Sequence, residues 1–383
     1  MKRMKIGVIL LALLLAGMAM VPLVNAAEST ETTSAIDVSK ILLPQLQIDN
    51  TLANVEVNAA LSSMEGEYVY AIPSGSIIHH SKGHTTRVFD STGKQVLSAD
   101  DEKSAKIFTP QGPEPATYVH PVPSGALILN SPTEKNTTYI MNEMGDLILT
   151  VIDDGDFRVN ATSSAFSAAR IPGRFWIEWA EEDWVYRIDK FESTWQVPRA
   201  PTSQDLGEKL AVFNGIRPQD LSFILQPVLE WNVNSNNYAW TAASWRFGPS
   251  DSYYTSPRIN VNQNDAMKGT LEYTTIGGQN GWKVTIADTS AGSSAYFFTN
   301  YLSTDLNLNL VNTLEAASGV GIDEMEDVCG SIVFNNLFTR SDGQTPSVTL
   351  SGQINSLITQ TWPGYFHVII SPNPTHVTLD TPY

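Results

Sequence analysis

The stretch Phe223-Ile224-Leu225-Gln226-Pro227-Val228-Leu229-Glu230-Trp231 decides the fold. It is apolar, holds β-branched and aromatic residues, follows Arg217-Pro218 and runs into an Asn-rich turn over 232–237. These features predict a strand. Alternation puts Phe223, Leu225, Leu229 and Trp231 on one face, and Ile224, Gln226, Val228 and Glu230 on the other. An amide in so apolar a segment needs a reason, because burying it without partners is costly. Either Gln226 is satisfied within the core, or it points into a groove where something binds.

The same pattern continues on both sides. From Ser193 onward the chain is rich in Asn, Thr, Ser, Gly and Trp, with short apolar runs between turn signals. Strands are predicted at 210–216, 223–231, 238–247, 257–262, 267–275, 281–288, 295–301, 306–316, 329–339, 346–358 and 364–370. Helical periodicity is weak. Such a series predicts two packed antiparallel sheets, a sandwich or jelly roll. Within 306–316, Val311, Thr313 and Glu315 share one face, while Leu310, Leu314 and Ala316 share the other.

Upstream lies an internal repeat. Tyr68 to Ile78, with its Pro73-Ser74-Gly75 turn, recurs as Tyr118 to Ile128 with Pro123-Ser124-Gly125. Arg87 to Leu97 recurs as Tyr139 to Leu149, and Asp100-Asp101 is echoed by Asp153-Asp154. Two copies are too few for a solenoid or propeller, so they predict one small all-β module. The aromatic and acidic stretch 171–191, with Phe175, Trp176, Trp179, Glu181, Glu182, Trp184 and Tyr186, reads as a junction. His79, His80 and His84 cluster in the first copy, without the carboxylate or cysteine frame a metal needs. Neither a metal nor another cofactor is expected.

The chain has 383 residues, room for two domains. Lys2, Arg3 and Lys5 precede an apolar run to Leu23 and the small-residue end Val24-Asn25-Ala26. That order predicts a secretory signal peptide over 1–26, and hence secretion with no membrane attachment after cleavage. Residues 27–60 read as a linker, 61–190 as the repeat module with its junction, and 191–383 as the sandwich. The only cysteine is Cys329, so no internal disulfide forms. A net charge of −17 argues against nucleic acid as a partner. Asn136-Thr137-Thr138 and Asn160-Ala161-Thr162 are glycosylation sequons.

Several motifs of the C-terminal part resemble, in order, the glutamic peptidases, or eqolisins, a family of acid-acting secreted endopeptidases. They are Trp195-Gln196-Val197-Pro198, Ile224-Leu225-Gln226, Glu230-Trp231, Tyr238-Ala239-Trp240 with Trp245, Gly281-Trp282-Lys283-Val284, Leu310 to Glu315, and Cys329-Gly330-Ser331-Ile332-Val333-Phe334. The variant around Phe213-Asn214-Gly215-Ile216 is similar to a prokaryotic secreted branch. The resemblance implies a concanavalin-like sandwich in which Gln226 and Glu315 form the catalytic pair, with Glu324 and Glu326 as alternatives to Glu315. It implies that Glu230, Trp231, Trp240 and Trp245 shape the groove, and that a polypeptide is the substrate. Family members are made as proenzymes, so the repeat module is either a propeptide or an accessory binding module.

The chemistry implied is a division of labour. A glutamate carboxylate takes a proton from water and returns it to the leaving amine. A glutamine amide, which never titrates, donates to the developing oxyanion even in acid. Two other readings compete. One is a non-catalytic sandwich that binds carbohydrate or a cell-surface glycan. The other is a glycosidase that pairs Glu230 with Glu315.

Overall fold

Two large β-sheets pack face to face, and nearly all regular structure is strand. The computed structural model describes residues 35–52, 72–154, 175–203, 209–218, 223–233, 238–248, 252–301, 307–316, 322, 324–342, 344, 346–371 and 375–381. The signal peptide, the Asn160 sequon and the start of the first repeat at Tyr68 lie outside them.

The glutamine strand, Ile224–Trp231, is central in the second sheet. That sheet runs Ser351–Ile354, Phe175–Tyr186, Asn307–Ala316, Leu210–Pro218, Ile224–Trp231, Trp240–Phe247, Tyr253–Thr255 and Val119–Pro121. The first sheet begins His367–Ile370, His376–Asp380, Ile332–Thr339, Lys190–Gln196, Ala266–Ile276, Gln279–Asp288 and Ser293–Thr299. It then continues without a break into the repeats, as Ala126–Asn130, Thr137–Met141, Leu147–Asp153, Ser76–Ser81, Thr85–Phe89 and Gln95–Asp100.

Three features differ from the sequence reading. The repeats are not set apart: Ala126–Asn130 pairs in parallel with Ser293–Thr299, and Val119–Pro121 pairs in parallel with Tyr253–Thr255. The sheets are therefore antiparallel except where the repeats join the sandwich and each other. The junction stretch is a strand, Phe175–Tyr186, paired along the whole of Asn307–Ala316. Its alternation is broken by bulges after Trp176 and Glu182, which hide the strand period from a sequence reading. Finally, 346–358 is only partly strand: Ser351–Ile354 gives way to a short helix, Ser356–Thr361, capped by the Asn355 side chain.

The repeats' turns need glycine. Gly75, Gly93, Gly125 and Gly145 all have φ between +82° and +88°, where a side chain is strained.

Alternation along the glutamine strand holds. Phe223, Leu225, Leu229 and Trp231 lie in the main inter-sheet core with Leu310, Leu314 and Ala316. Ile224 and Val228 face the other way, into a second apolar cluster with Ala211, Phe213, Ala243, Trp245 and Val311. Polar bonds also strap the sheets together. Ser193 Oγ donates to Asn336 Oδ1 (2.5 Å), Asn336 Nδ2 donates to Asn312 Oδ1 (2.8 Å), and Asn312 Nδ2 reaches Ser193 Oγ (3.2 Å). Asn312 belongs to the strand that carries Glu315, so the strap fixes that strand's register against the opposite sheet.

Gly269 marks a second close approach. A Cβ there would collide with Asn214 Oδ1 and stand 2.7 Å from Pro227 Cγ, beside Gln226. Gly269→Ala is expected to destabilise the chain by about 1–3 kcal/mol through overpacking. The midpoint of urea unfolding measures it.

Candidate functional site

Gln226 stands on the face of the second sheet that looks away from the inter-sheet core. It is fully buried, and neither Nε2 nor Oε1 has a hydrogen-bond partner among the described residues. Leaving an amide so costs about 1–3 kcal/mol. Opposite it on one side is Trp245. On the other side the register from Phe213–Val228 to Ile216–Leu225 sets Gly215 across from it, and Gly215 pairs in turn with Val311.

Glu315 occupies a different row of the same face. Ala211 pairs with both Glu230 and Glu315, and Glu315 pairs with Trp176. The row therefore reads Glu230, Ala211, Glu315, Trp176, with alanine leaving space between two carboxylates. All three polar candidates share the face, as alternation predicts. They are not in contact by register. Gln226 and Glu315 lie two strands apart and four residues out of row, a Cα separation of about 16 Å at ordinary sheet spacings. Phe213, buried, pairs with both Val228 and Thr313 and so stands on the row between them.

Glu230 is committed elsewhere. Trp245 Nε1 donates to its Oε1 (2.9 Å), and Arg258 Nε donates to its Oε2 (2.8 Å). Glu230 is only 1 % exposed. It therefore positions Trp245 and Arg258, and is not free to act as a glycosidase acid or base. Glu230→Ala removes a buried ion pair and is expected to cost about 3–5 kcal/mol, read from the thermal or urea midpoint.

The tryptophans divide. Trp245 lies on the Gln226 face, stacked with Phe247. Trp231 and Trp240 pair across the sheet on the opposite face, with ring centroids 5.2 Å apart, inside the main core. They do not line the Gln226 face, because they share the alternation of Phe223. The aromatic residues beside Glu315 come instead from the former junction. Trp176 and Trp179 pack edge-on (5.5 Å), and Arg217 lies over Trp176 while bonding Glu181 (2.8 Å). Glu324 and Glu326 sit at a 3₁₀ turn whose neighbours Ile322 and Val328 pack into the main inter-sheet core.

Two further side chains were not singled out by the sequence. Arg258 is one. Lys209 is the other: it is 2 % exposed, its Nζ donates to Asn232 O, and it stands 4.2 Å from the Phe108 ring centroid. Burial lowers its ammonium to a pKa of about 8. No motif marks either residue, since both matter through long-range packing.

The face is covered. Ile107 and Val119 belong to its apolar cluster, with Ala116 packed against it, and Tyr253 donates to Glu114 (2.8 Å). These residues come from the hairpin Lys106–Thr109 and Gly112–Pro115 and the segment that follows it. A loop of the repeat region thus closes over the sheet that carries Gln226 and Glu315.

The fold and face together define an all-β sandwich with an occluded polar floor. No protein-family model matches the chain, and no curated protein sequence does. Among solved structures, a scytalido-glutamic peptidase bound to a peptide-based transition state analog is similar over 54 % of this chain and 99 % of that one, at 12 % identity and a TM-score of 0.39. SCP-B, a member of the eqolisin family of peptidases in complex with the tripeptide Ala-Ile-His, is similar over 54 % and 99 %, at 12 % identity and 0.35. An alginate lyase from Pseudomonas aeruginosa is similar over 45 % and 68 %, at 11 % identity and 0.26. Likeness of this degree transfers no residue's role.

Proposed function

We propose that this chain is a secreted, latent hydrolase that binds an extended polypeptide on the Gln226 face and cleaves it in acid. The observation that carries this reading is the buried amide of Gln226, without a partner among the described residues, on one face with Glu315 and beneath a hairpin of the same chain. A carboxamide offers an NH₂ donor and a carbonyl acceptor, which complement the C=O and N–H of a peptide group. Glu315 is the proton-transfer group, and Trp176 and Trp179 beside it supply apolar contact for substrate side chains. With the hairpin in place no polypeptide reaches either residue, so latency is part of the proposal. For the two to act on one bond, Phe213 must swing aside when the hairpin leaves.

A second reading is binding without cleavage. It is favoured by Val311, an apolar residue standing in Gln226's own row where a partner acid would complete a close pair. The two readings part on one experiment. Residues 107–114 are replaced by a short Gly-Ser loop, and hydrolysis of an acid-unfolded protein is followed between pH 2 and 7. Latent hydrolysis predicts cleavage that rises when the hairpin is removed. Polypeptide or glycan binding with no products favours the second reading.

A further inference from the structure

His80 and His120 are both buried, at 0 % and 4 % exposure, and their Nε2 atoms face each other at 3.2 Å. They come from different parts of the chain. His80 lies on the repeat strand Ser76–Ser81, while His120 lies on Val119–Pro121, paired directly with Tyr254 of the sandwich. His80 Nδ1 is 2.7 Å from Thr86 Oγ1, and Thr86 Oγ1 donates to Asp101 Oδ1 (2.6 Å). This order fixes the protons. Because Thr86 gives its hydrogen to Asp101, it accepts from His80 Nδ1–H. His80 Nε2 is then an acceptor, and His120 Nε2–H is its donor.

The network brackets the occluding hairpin in sequence. Asp101 lies just before Lys106. After Pro115 and Ala116 comes Tyr118, which stacks on His80 (4.1 Å), and His120 follows. Ala116 N donates to Ala105 O (2.8 Å), closing the hairpin's root. The cluster that holds the root is thus the cluster that holds the two histidines.

We infer that the His80–His120 pair is an acid-sensitive latch, which holds the Lys106–Pro115 hairpin over the Gln226 face and releases it when the rings take up protons. A first proton adds at His120 Nδ1 and leaves a single N–H shared between the two Nε2 atoms. A second forces two N–H groups and two positive charges together at hydrogen-bond distance, and the contact is lost. Burial depresses both rings, His120 to about 3 and His80 well below its ordinary 6.5, with His120 and His79 adding to the effect on His80. A ring depressed when closed and ordinary when open favours the closed form above about pH 6.5, and that advantage is lost as pH falls toward 3.

The surrounding charges modify this behaviour. His79 bonds Asp154 (3.0 Å). Arg246 lies over Tyr254, the ring next to His120, and adds positive potential. Asp153 accepts from Ser252 (2.7 Å) and opposes it. Asp101, raised mainly by burial, holds a proton better when closed, and so offsets one histidine just above its ordinary range.

The inference rests on the face being functional, but its test does not need activity. Hydroxyl-radical footprinting of the full chain at pH 7, 6, 5 and 4 reads the exposure of Phe108 and Trp245, with buried Trp282 as the control for global unfolding. The latch predicts that labelling of Trp245, buried in the closed form, rises at least tenfold between pH 6 and 4, that half-buried Phe108 rises with it, and that Trp282 stays protected. The double variant His80→Gln/His120→Gln is expected to lose that rise. Unchanged labelling of Phe108 and Trp245 down to pH 4 in the wild type overturns the latch, as does exposure of all three together. A variant that opens at pH 4 as the wild type does overturns it too. If the variant is already open at pH 7 with Trp282 protected, the pair is shown to hold the hairpin, and the wild-type profile decides the pH dependence.

Discussion

Gln226→Ala and Glu315→Ala are each expected to lower hydrolysis of an unfolded protein at least a hundredfold, with little change in overall fold. The magnitude follows from chemistry. Loss of one donor to a developing oxyanion removes about 10²–10³ in rate, and loss of a proton-transfer group about 10²–10⁴. Gln226→Ala also deletes a buried amide that has no partner among the described residues, so its cost to stability is small beside its cost to activity. That split sets Gln226 apart from Glu230, whose removal acts first on stability because Trp245 and Arg258 depend on it. Both variants are compared with wild type by initial rates at pH 3 to 6 and by urea midpoint. A rate that rises only above pH 8 contradicts the account, since the proposed chemistry belongs to acid.

The second large effect concerns Glu178, on the core face of the strand Phe175–Tyr186. It is fully buried, and neither carboxyl oxygen has a hydrogen-bond partner among the described residues. Burial, and then the nearby Asp380 charge, push its pKa from 4.5 up to about 9. The folded chain therefore keeps this carboxyl protonated at neutral pH, where the unfolded chain ionises it. Its contribution to stability is full below about pH 4.5 and is lost as pH rises through about 9. Each pH unit in that window costs about 1.4 kcal/mol, several kcal/mol in all. Glu178→Gln is expected to leave stability unchanged at pH 4 and raise it by about 3–5 kcal/mol at pH 8. Equal stability of the variant and wild type at both pH values would contradict the assignment. The sandwich core is thus built to be firmer in acid, while the histidine seam is built to loosen there.

Much of this was legible from alternation alone. A strand's period of two separates Gln226 and Glu230 from Leu225 and Trp231 without any structure, and the same reading orients Glu315 against Leu314. Trp231 and Trp240 illustrate a conflict between two kinds of reading. Resemblance put them in a groove, whereas the face shared with Phe223 put Trp231 in the core, and the structure follows the face. Register was not legible. Which residue of Asn307–Ala316 meets Gln226 depends on pairing through an intervening strand, and nothing local in the sequence encodes that Val311 stands there. The covering hairpin was hidden for a similar reason. Its residues lie more than a hundred positions before Gln226, and only packing brings Ile107 and Val119 to Trp245. The repeat was visible, but its parallel joins to Ser293–Thr299 and Tyr253–Thr255 make one continuous architecture where composition had drawn a boundary.

The most direct measurement is mass spectrometry of an acid-unfolded protein incubated at pH 4 with the full chain and, in parallel, with Gln226→Ala and Glu315→Ala. New internal peptides are expected with the wild type and none above background with either variant. Peptides of equal yield from all three chains would remove Gln226 and Glu315 from the chemistry. No peptides from the wild type, even with its hairpin replaced, would leave this face a binding surface.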